Sequence, residues 1–351
     1  MKALVLKKNG VLKFKDVPES KIKDDECLIA VKYAGICDSD IARAYDNGAY
    51  FYPSIMGHEI AGIVKEAGKR VKRSRKGDHI AVFPLLPCFK CEFCTKKRYA
   101  QCIKYDYYGS RRNGGFAQFL AVKEWNLFRL PPKTPLEHAS MLEPVSVAVH
   151  AARKIDYDKN DNVAILGAGL IGLTIALYLK KVIKLKNIFI VDRNEHKLKL
   201  AQEIGVKTLN SRSSNWENSL LKMADGKIAN IFEACGSTET YTSSVKLVSP
   251  HGNVIWVGNI KGDLLLDKKT VSSIIRREIH ILGCWNSSFS HSTADDWSVS
   301  HRLIRDHGPF FNKIISHVVP LSSGAQIFKR LRTRHLKSSG TERFQKVLIK
   351  I

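Results

Sequence analysis

The chain of 351 residues is long enough for two domains with separate cores, and its 44% hydrophobic and 26% charged residues exclude a disordered or fibrous protein. No apolar run reaches the roughly 20 residues needed to span a bilayer, so no membrane partner is expected. The net charge of +24 raises nucleic-acid binding as a function; however, Lys and Arg are spread through nearly every segment, KRVKRSRKGD (69–78) is only their densest run, and no recognition-helix or RNA-binding signature accompanies them. No nucleic-acid partner is expected.

The N-terminus, MKALVLKKNGVLKFKDV, runs straight into alternating strand-like sequence without a small-residue cleavage pattern. A cytoplasmic location is the resulting expectation. Residues 1–130 continue as short strands, with ECLIAVKYAG, EIAGIVKEAG, DHIAVFPLL and FAQFLAVKE following MKALVLKK, and predict a mostly β domain. Within it, GICDSD (35–40) holds Cys37, which these six residues leave open between a buried thiol and a metal ligand. PCFKCEFCTKKRYAQC is more specific. Cys88, Cys91, Cys94 and Cys102 follow the pattern C-x2-C-x2-C-x7-C, and four thiolates so spaced surround one tetrahedral Zn²⁺ in a closed, structural site. A disulfide pair and an iron–sulfur cluster are the lesser readings. Cys27, Cys235 and Cys284 lie in apolar text and are expected to be buried small side chains.

Near 135–150 the pattern turns helical, and from 162 strands and helices alternate, predicting a doubly wound parallel sheet. GAGLIG (167–172) follows the strand NVAIL and opens an apolar helix. Gly167 permits the tight turn, Gly169 admits a pyrophosphate to the backbone, and Gly172 lets the helix pack on the strand. Leu170 and Ile171 complete the fingerprint at the helix N-terminus, whose free N–H groups attract phosphate. Asp192, 20 residues beyond Gly172, would accept from the ribose hydroxyls and repel a 2′-phosphate; this favours NAD over NADP, with adjacent Arg193 weakening the preference slightly. Past 288 the text is helical and ends in FQKVLIKI, a strand able to complete the first domain. The expected domains are therefore 1–148 with 288–351, and 149–287.

GHEIAG (57–62), the cysteine lobe, MLEPVSVAVHA (141–151) and GAGLIG occur in an order that resembles the zinc-dependent medium-chain alcohol and polyol dehydrogenases, over nearly the whole chain. NGAYFYP (47–53), PLLPCFKC (84–91), YDYYGSRRNGGFAQF (105–119) and RREIHILGCW (276–285) look most like the polyol-phosphate members. The resemblance implies a GroES-like catalytic domain, a Rossmann domain for NAD, a second, catalytic zinc and a homodimer or homotetramer. It implies catalytic zinc ligands at Cys37, His58 and Glu143, with Glu59 binding or exchanging onto the same metal. It further implies that Asp40 orients His58, Ser39 receives the substrate proton, and Asp192 and Lys197 flank the adenosine ribose. Such a mixed donor set leaves the open position that catalysis requires. Asp38 and Ala42 depart from the family pattern, in which glycine and a relay histidine are frequent, and a carboxylate at 38 is expected to repel the cofactor pyrophosphate.

The implied reaction is oxidation of a secondary hydroxyl of a polyol phosphate, of the galactitol 1-phosphate kind, to a ketone. Arg111 or Arg112, in GSRRNGG, is the expected phosphate anchor, weighed against two solvated loop arginines. The rival readings are a dehydrogenase of an unphosphorylated polyol, secondary alcohol or threonine-like substrate and, more remotely, a non-enzymatic zinc protein that binds nucleic acid.

Overall fold

The computed structural model describes residues 1–336 and 344–351 and divides them into two compact units, Met1–Pro144 with Ser288–Ile351, and Val145–Ser287. The first unit is built around one strand, Glu26–Gly35 (ECLIAVKYAG), which is buried along most of its length. It pairs antiparallel with three partners: Glu59–Ala67, Phe119–Lys123 and the C-terminal Lys346–Lys350. Register shifts at Leu28/Ile29 and Val31/Tyr33 bend its pairing with Glu59–Ala67, the role of a bulge in a strongly curved sheet. His79–Val82 and Leu127–Leu130 extend one side, and Ile315–Pro320 lies beyond the C-terminal strand. A smaller sheet joins Val11–Asp16, Lys2–Lys8 and Ser54–Ile55.

Three strands of four or more residues escape the periodicity argument: Leu127–Leu130, Lys207–Asn210 and Ile315–Pro320. Each lies at the end of a sheet and carries exposed or half-exposed residues, so it lacks the apolar run of a central strand. The segment after Ser288 is anchored to the first unit by aromatic packing. Phe289 stacks on Phe83 at 4.7 Å, and fully buried Trp297 meets both rings edge-on at 5.4 and 5.5 Å.

The second unit holds a six-stranded parallel sheet in the order Lys207–Asn210, Asn187–Asp192, Asn162–Leu166, Asn230–Glu233, Asn253–Trp256, His280–Gly283. The order reverses beside Asn162–Leu166, which creates a topological switch point at the carboxyl ends of the strands. Leu170–Tyr178 follows at that point; it is apolar all round and buried from Gly172 to Tyr178, as a helix inside the doubly wound core must be. No described helix is long and apolar enough to cross a membrane.

Trp297→Ala is expected to destabilise the protein by about 3–5 kcal/mol through the cavity it leaves. Urea unfolding followed by circular dichroism checks this, and a loss under about 1 kcal/mol would contradict the packing role.

Candidate active site

The four-cysteine lobe closes on itself. The Sγ atoms of Cys88, Cys91, Cys94 and Cys102 lie within 4.8 Å of one another, and Cys88 and Cys94 are 3.9 Å apart. A tetrahedron with Zn–S bonds near 2.3 Å has edges of about 3.8 Å, whereas a disulfide requires about 2.05 Å. The sulfurs also receive backbone N–H groups: Cys88 N donates to Cys102 Sγ at 3.2 Å and Cys91 N to Cys88 Sγ at 3.4 Å. Backbone donation brings the Cys91 thiol down to about 6, whereas burial and the neighbouring thiols push Cys94 up to about 12. One thiolate forms readily while another resists without a cation, so the donor set fits a structural zinc.

A second cluster lies where the central strand ends. Cys37 is the residue before the helix Asp38–Tyr45, so its sulfur stands at a helix N-terminus, a position that favours a thiolate. Asp40 is completely buried; its Oδ2 accepts the Cys37 N–H at 3.1 Å, and its Oδ1 faces both Arg43 and His58 Nδ1 at 3.4 Å. The His58 approach lacks the alignment of a full hydrogen bond but turns Nδ1 toward Asp40, which leaves Nε2 for a metal. Donor atoms of Cys37, His58 and Glu59 all lie within 4.8 Å of one another. Burial opposes a charged His58, but Asp40 prevails and holds the imidazole well above its usual range. Burial likewise opposes a charged Asp40, and His58 and Arg43 keep it below the ordinary carboxylate range. A thiolate, an imidazole and a carboxylate suit a divalent zinc.

Glu143 stands beside this cluster, outside the group of three. It is buried on the first turn of the helix Leu142–Ala152, and Tyr107 donates its hydroxyl to Oε1 at 3.2 Å. Burial, and then the nearby Glu59, push Glu143 up to about 7, although His58 draws it down. Burial and Glu143 raise the Tyr107 phenol well above its ordinary value. Two further participants carry no motif. Tyr107 also packs edge-on against His58 at 6.0 Å, and buried Lys346 pairs with Glu59 Oε2. Ser39 is half-buried in the first turn of the Asp38–Tyr45 helix. Asp38 is exposed at the start of that helix, where an acid complements the macrodipole.

The two candidate arginines differ. Arg112 is half-buried and bound by Asp106, whose Oδ2 accepts its Nε at 2.7 Å, so its charge is already matched. Arg111 is exposed and lies over the rings of Tyr50 (4.8 Å) and Tyr105 (4.3 Å), with no carboxylate in ion-pair reach among the described residues. Its loop is pressed onto the backbone preceding His58. A Cβ at Gly109 would meet Gly57 O at 2.5 Å, one at Gly114 would meet it at 2.2 Å, and Gly115 N donates to the same oxygen at 2.8 Å. Glycine is required there, and the close approach brings the arginine loop beside His58.

In the second unit the three fingerprint glycines occupy distinct environments. Gly167 has φ +109°, and a Cβ there would meet Cys235 Sγ at 2.8 Å. A Cβ on Gly172 would lie 1.8 Å from Gly167 O, whereas Gly169 faces open space at the start of the Leu170–Tyr178 helix. A tight turn, an open helix N-terminus and a close helix–strand contact fit a dinucleotide pyrophosphate. Asp192 Oδ2 accepts from Ala168 N and Oδ1 from Asn194 N, both at 2.8 Å; each oxygen keeps a lone pair for a ribose hydroxyl. Arg193 uses its carbonyl to hold Arg212, and the Lys197 N–H is capped by Asn194. Cys235, expected to be buried, is exposed, because it lies on the turn leaving Asn230–Glu233 at the switch point; Cys27 is buried and Cys284 half-buried.

Two family profiles match the chain, that of the alcohol dehydrogenase GroES-like domain over residues 23–132 and that of the zinc-binding dehydrogenases over 171–304. The chain is 34% identical over 332 residues to galactitol 1-phosphate 5-dehydrogenase of Escherichia coli K12, covering 93% of this chain and 95% of that one. It is 28% identical to D-arabitol-phosphate dehydrogenase of Enterococcus avium, over 91% and 90% of the two chains. The crystal structure of galactitol-1-phosphate dehydrogenase from Escherichia coli superposes with a TM-score of 0.88 at 33% identity, covering both chains completely.

Cys94→Ser is expected to abolish metal binding by the lobe while metal at Cys37 is retained, and to speed proteolysis between residues 88 and 102. Elemental analysis with limited proteolysis checks this; unchanged metal content would contradict the four-thiolate site.

Proposed function

The chain belongs to the zinc-binding alcohol dehydrogenase family, and on that premise we propose that it oxidises a secondary hydroxyl of a polyol phosphate to a ketone, passing hydride to NAD. The observation that carries this reading is the Cys37–His58–Glu59 donor set with the Arg111 loop pressed beside it. Cys37, His58 and Glu59, with Glu143 in reserve, would hold a zinc that would supply Lewis acidity toward the hydroxyl, and a bound NAD would supply the hydride acceptor. The remaining work falls to the chain itself. Ser39 receives the substrate proton, Asp40 fixes the His58 ring, and Tyr107 steadies Glu143. Gly167, Gly169, Leu170, Ile171 and Gly172 cradle the cofactor pyrophosphate, and Asp192 with Lys197 takes the ribose, which favours NAD over NADP.

Arg111, rather than Arg112, is the phosphate anchor in this reading. A planar guanidinium without a carboxylate partner among the described residues is ready to bond two phosphate oxygens, and Tyr50 and Tyr105 hold its plane. Both phosphate-using relatives point the same way. Assembly as a homodimer or homotetramer belongs to the same proposal, and exposed Val271, Ile275 and Trp285 in the second unit support it.

The assignment predicts kcat/KM at least roughly 100-fold higher for galactitol 1-phosphate than for galactitol. Arg111→Gln should raise KM for the phosphate roughly 10- to 100-fold with little change in kcat, as expected for loss of a charge-assisted contact remote from the reacting carbon. NADH production across polyols and their phosphates is the measurement. Equal efficiency toward both would overturn the phosphate assignment and favour an unphosphorylated polyol.

A further inference from the structure

Lys346 is an unusual residue for the place it occupies. It is only 4% exposed, at the start of the C-terminal strand, and its backbone is fixed there: Ile36 N donates to Val347 O at 3.0 Å, and Ser316 Oγ to Lys346 O at 3.0 Å. Its ammonium pairs with Glu59 Oε2 and donates to Ile36 O at 3.0 Å, the carbonyl immediately before Cys37. The strands leave a space for this pair. Gly35 lies opposite both Glu59 and Leu348, and a Cβ on it would meet Glu59 Oε2 at 1.8 Å and Lys346 Cε at 2.9 Å. A methionine would fill the space but leave the buried Glu59 carboxylate without its partner, and removing one member of a buried ion pair is strongly destabilising. The lysine is therefore tied to the Glu59 carboxylate by charge rather than by shape alone.

We propose that Lys346 is a positioning residue that occupies one carboxylate oxygen of Glu59, so that Glu59 offers a metal only its other oxygen and releases it readily. The inference rests on the metal reading of Cys37, His58 and Glu59. In it, the lysine competes with the metal for the carboxylate and preserves the open position that a substrate hydroxyl needs.

The test uses Co²⁺ added to metal-free full-length protein, with the Cys37→Ser spectrum subtracted to remove the four-cysteine lobe. It reads the visible absorption of the bound ion and its rate of release to EDTA. Lys346→Met should change the spectrum and slow release roughly tenfold, and Lys346→Arg should restore both. In a Glu59→Gln background, Lys346→Met should change neither. If Lys346→Met does not fold, Lys346→Gln, which keeps a donor for Ile36 O, carries the same comparison. Unchanged spectrum and release overturn the proposal, as does an effect that persists without the Glu59 carboxylate, because Lys346 would then act only through its field. A wild-type spectrum identical to that of Cys37→Ser overturns the metal reading itself, and the lysine proposal with it.

Discussion

Burying three carboxylates around one imidazole, that of His58, is the constraint around which the first unit is organised. Asp40, Glu59 and Glu143 are all nearly inaccessible, and an unpaired buried charge costs several kcal/mol. Each is answered by a specific group: Asp40 by the Cys37 N–H, Arg43 and His58, Glu59 by Lys346, and Glu143 by the Tyr107 hydroxyl. Those answers come from the central strand, the helix after it, the arginine loop and the last strand of the chain. The sheet therefore does more than support the site. Its register brings Gly35, Glu59 and Leu348 side by side, and Lys346 can reach Glu59 only because Gly35 has no side chain.

What remains after this pairing is a half-buried thiol at a helix N-terminus, an imidazole nitrogen and one carboxylate oxygen. A divalent cation completes that set, and the mixture leaves a coordination position free, unlike the lobe of four thiolates, which closes on its metal. The second unit solves a different problem with glycine. Gly167 and Gly172 allow the turn and the helix to touch, while Gly169 leaves the helix N-terminus open to phosphate. Asp192 contributes to both tasks, holding the turn through Ala168 N and retaining lone pairs for the ribose.

Much of this was legible in sequence because it is local. The cysteine spacing, the glycine fingerprint with its flanking strand and helix, and the first-turn acid Asp40 are all set within a few residues of one another. The members that escaped notice are brought in from afar. Lys346 lies 310 residues from the carbonyl it bonds, in a strand whose sequence gives no sign that its first side chain points into a polar pocket. Tyr107 is one of several tyrosines in YDYYGS, and only the pairing of Leu85–Leu86 with Asp106–Tyr107 sets it against His58. Arg111 and Arg112 were indistinguishable as neighbours in sequence. The turn gives Arg112 to Asp106 and leaves Arg111 between aromatic rings. Glu59 and Glu143 exchanged prominence for the same reason: the strand places Glu59 within the cluster, while Glu143 is held by a phenol whose position sequence spacing does not reveal.

On the proposed reading, Cys37, His58 and Glu59 hold a metal of their own, separate from that of the cysteine lobe. Anomalous diffraction at the zinc absorption edge from crystals of the zinc-loaded protein tests it most directly. Strong peaks are expected at both places, one enclosed by Cys88, Cys91, Cys94 and Cys102 and the other in contact with Cys37 and His58. A peak in the cysteine lobe alone would contradict it.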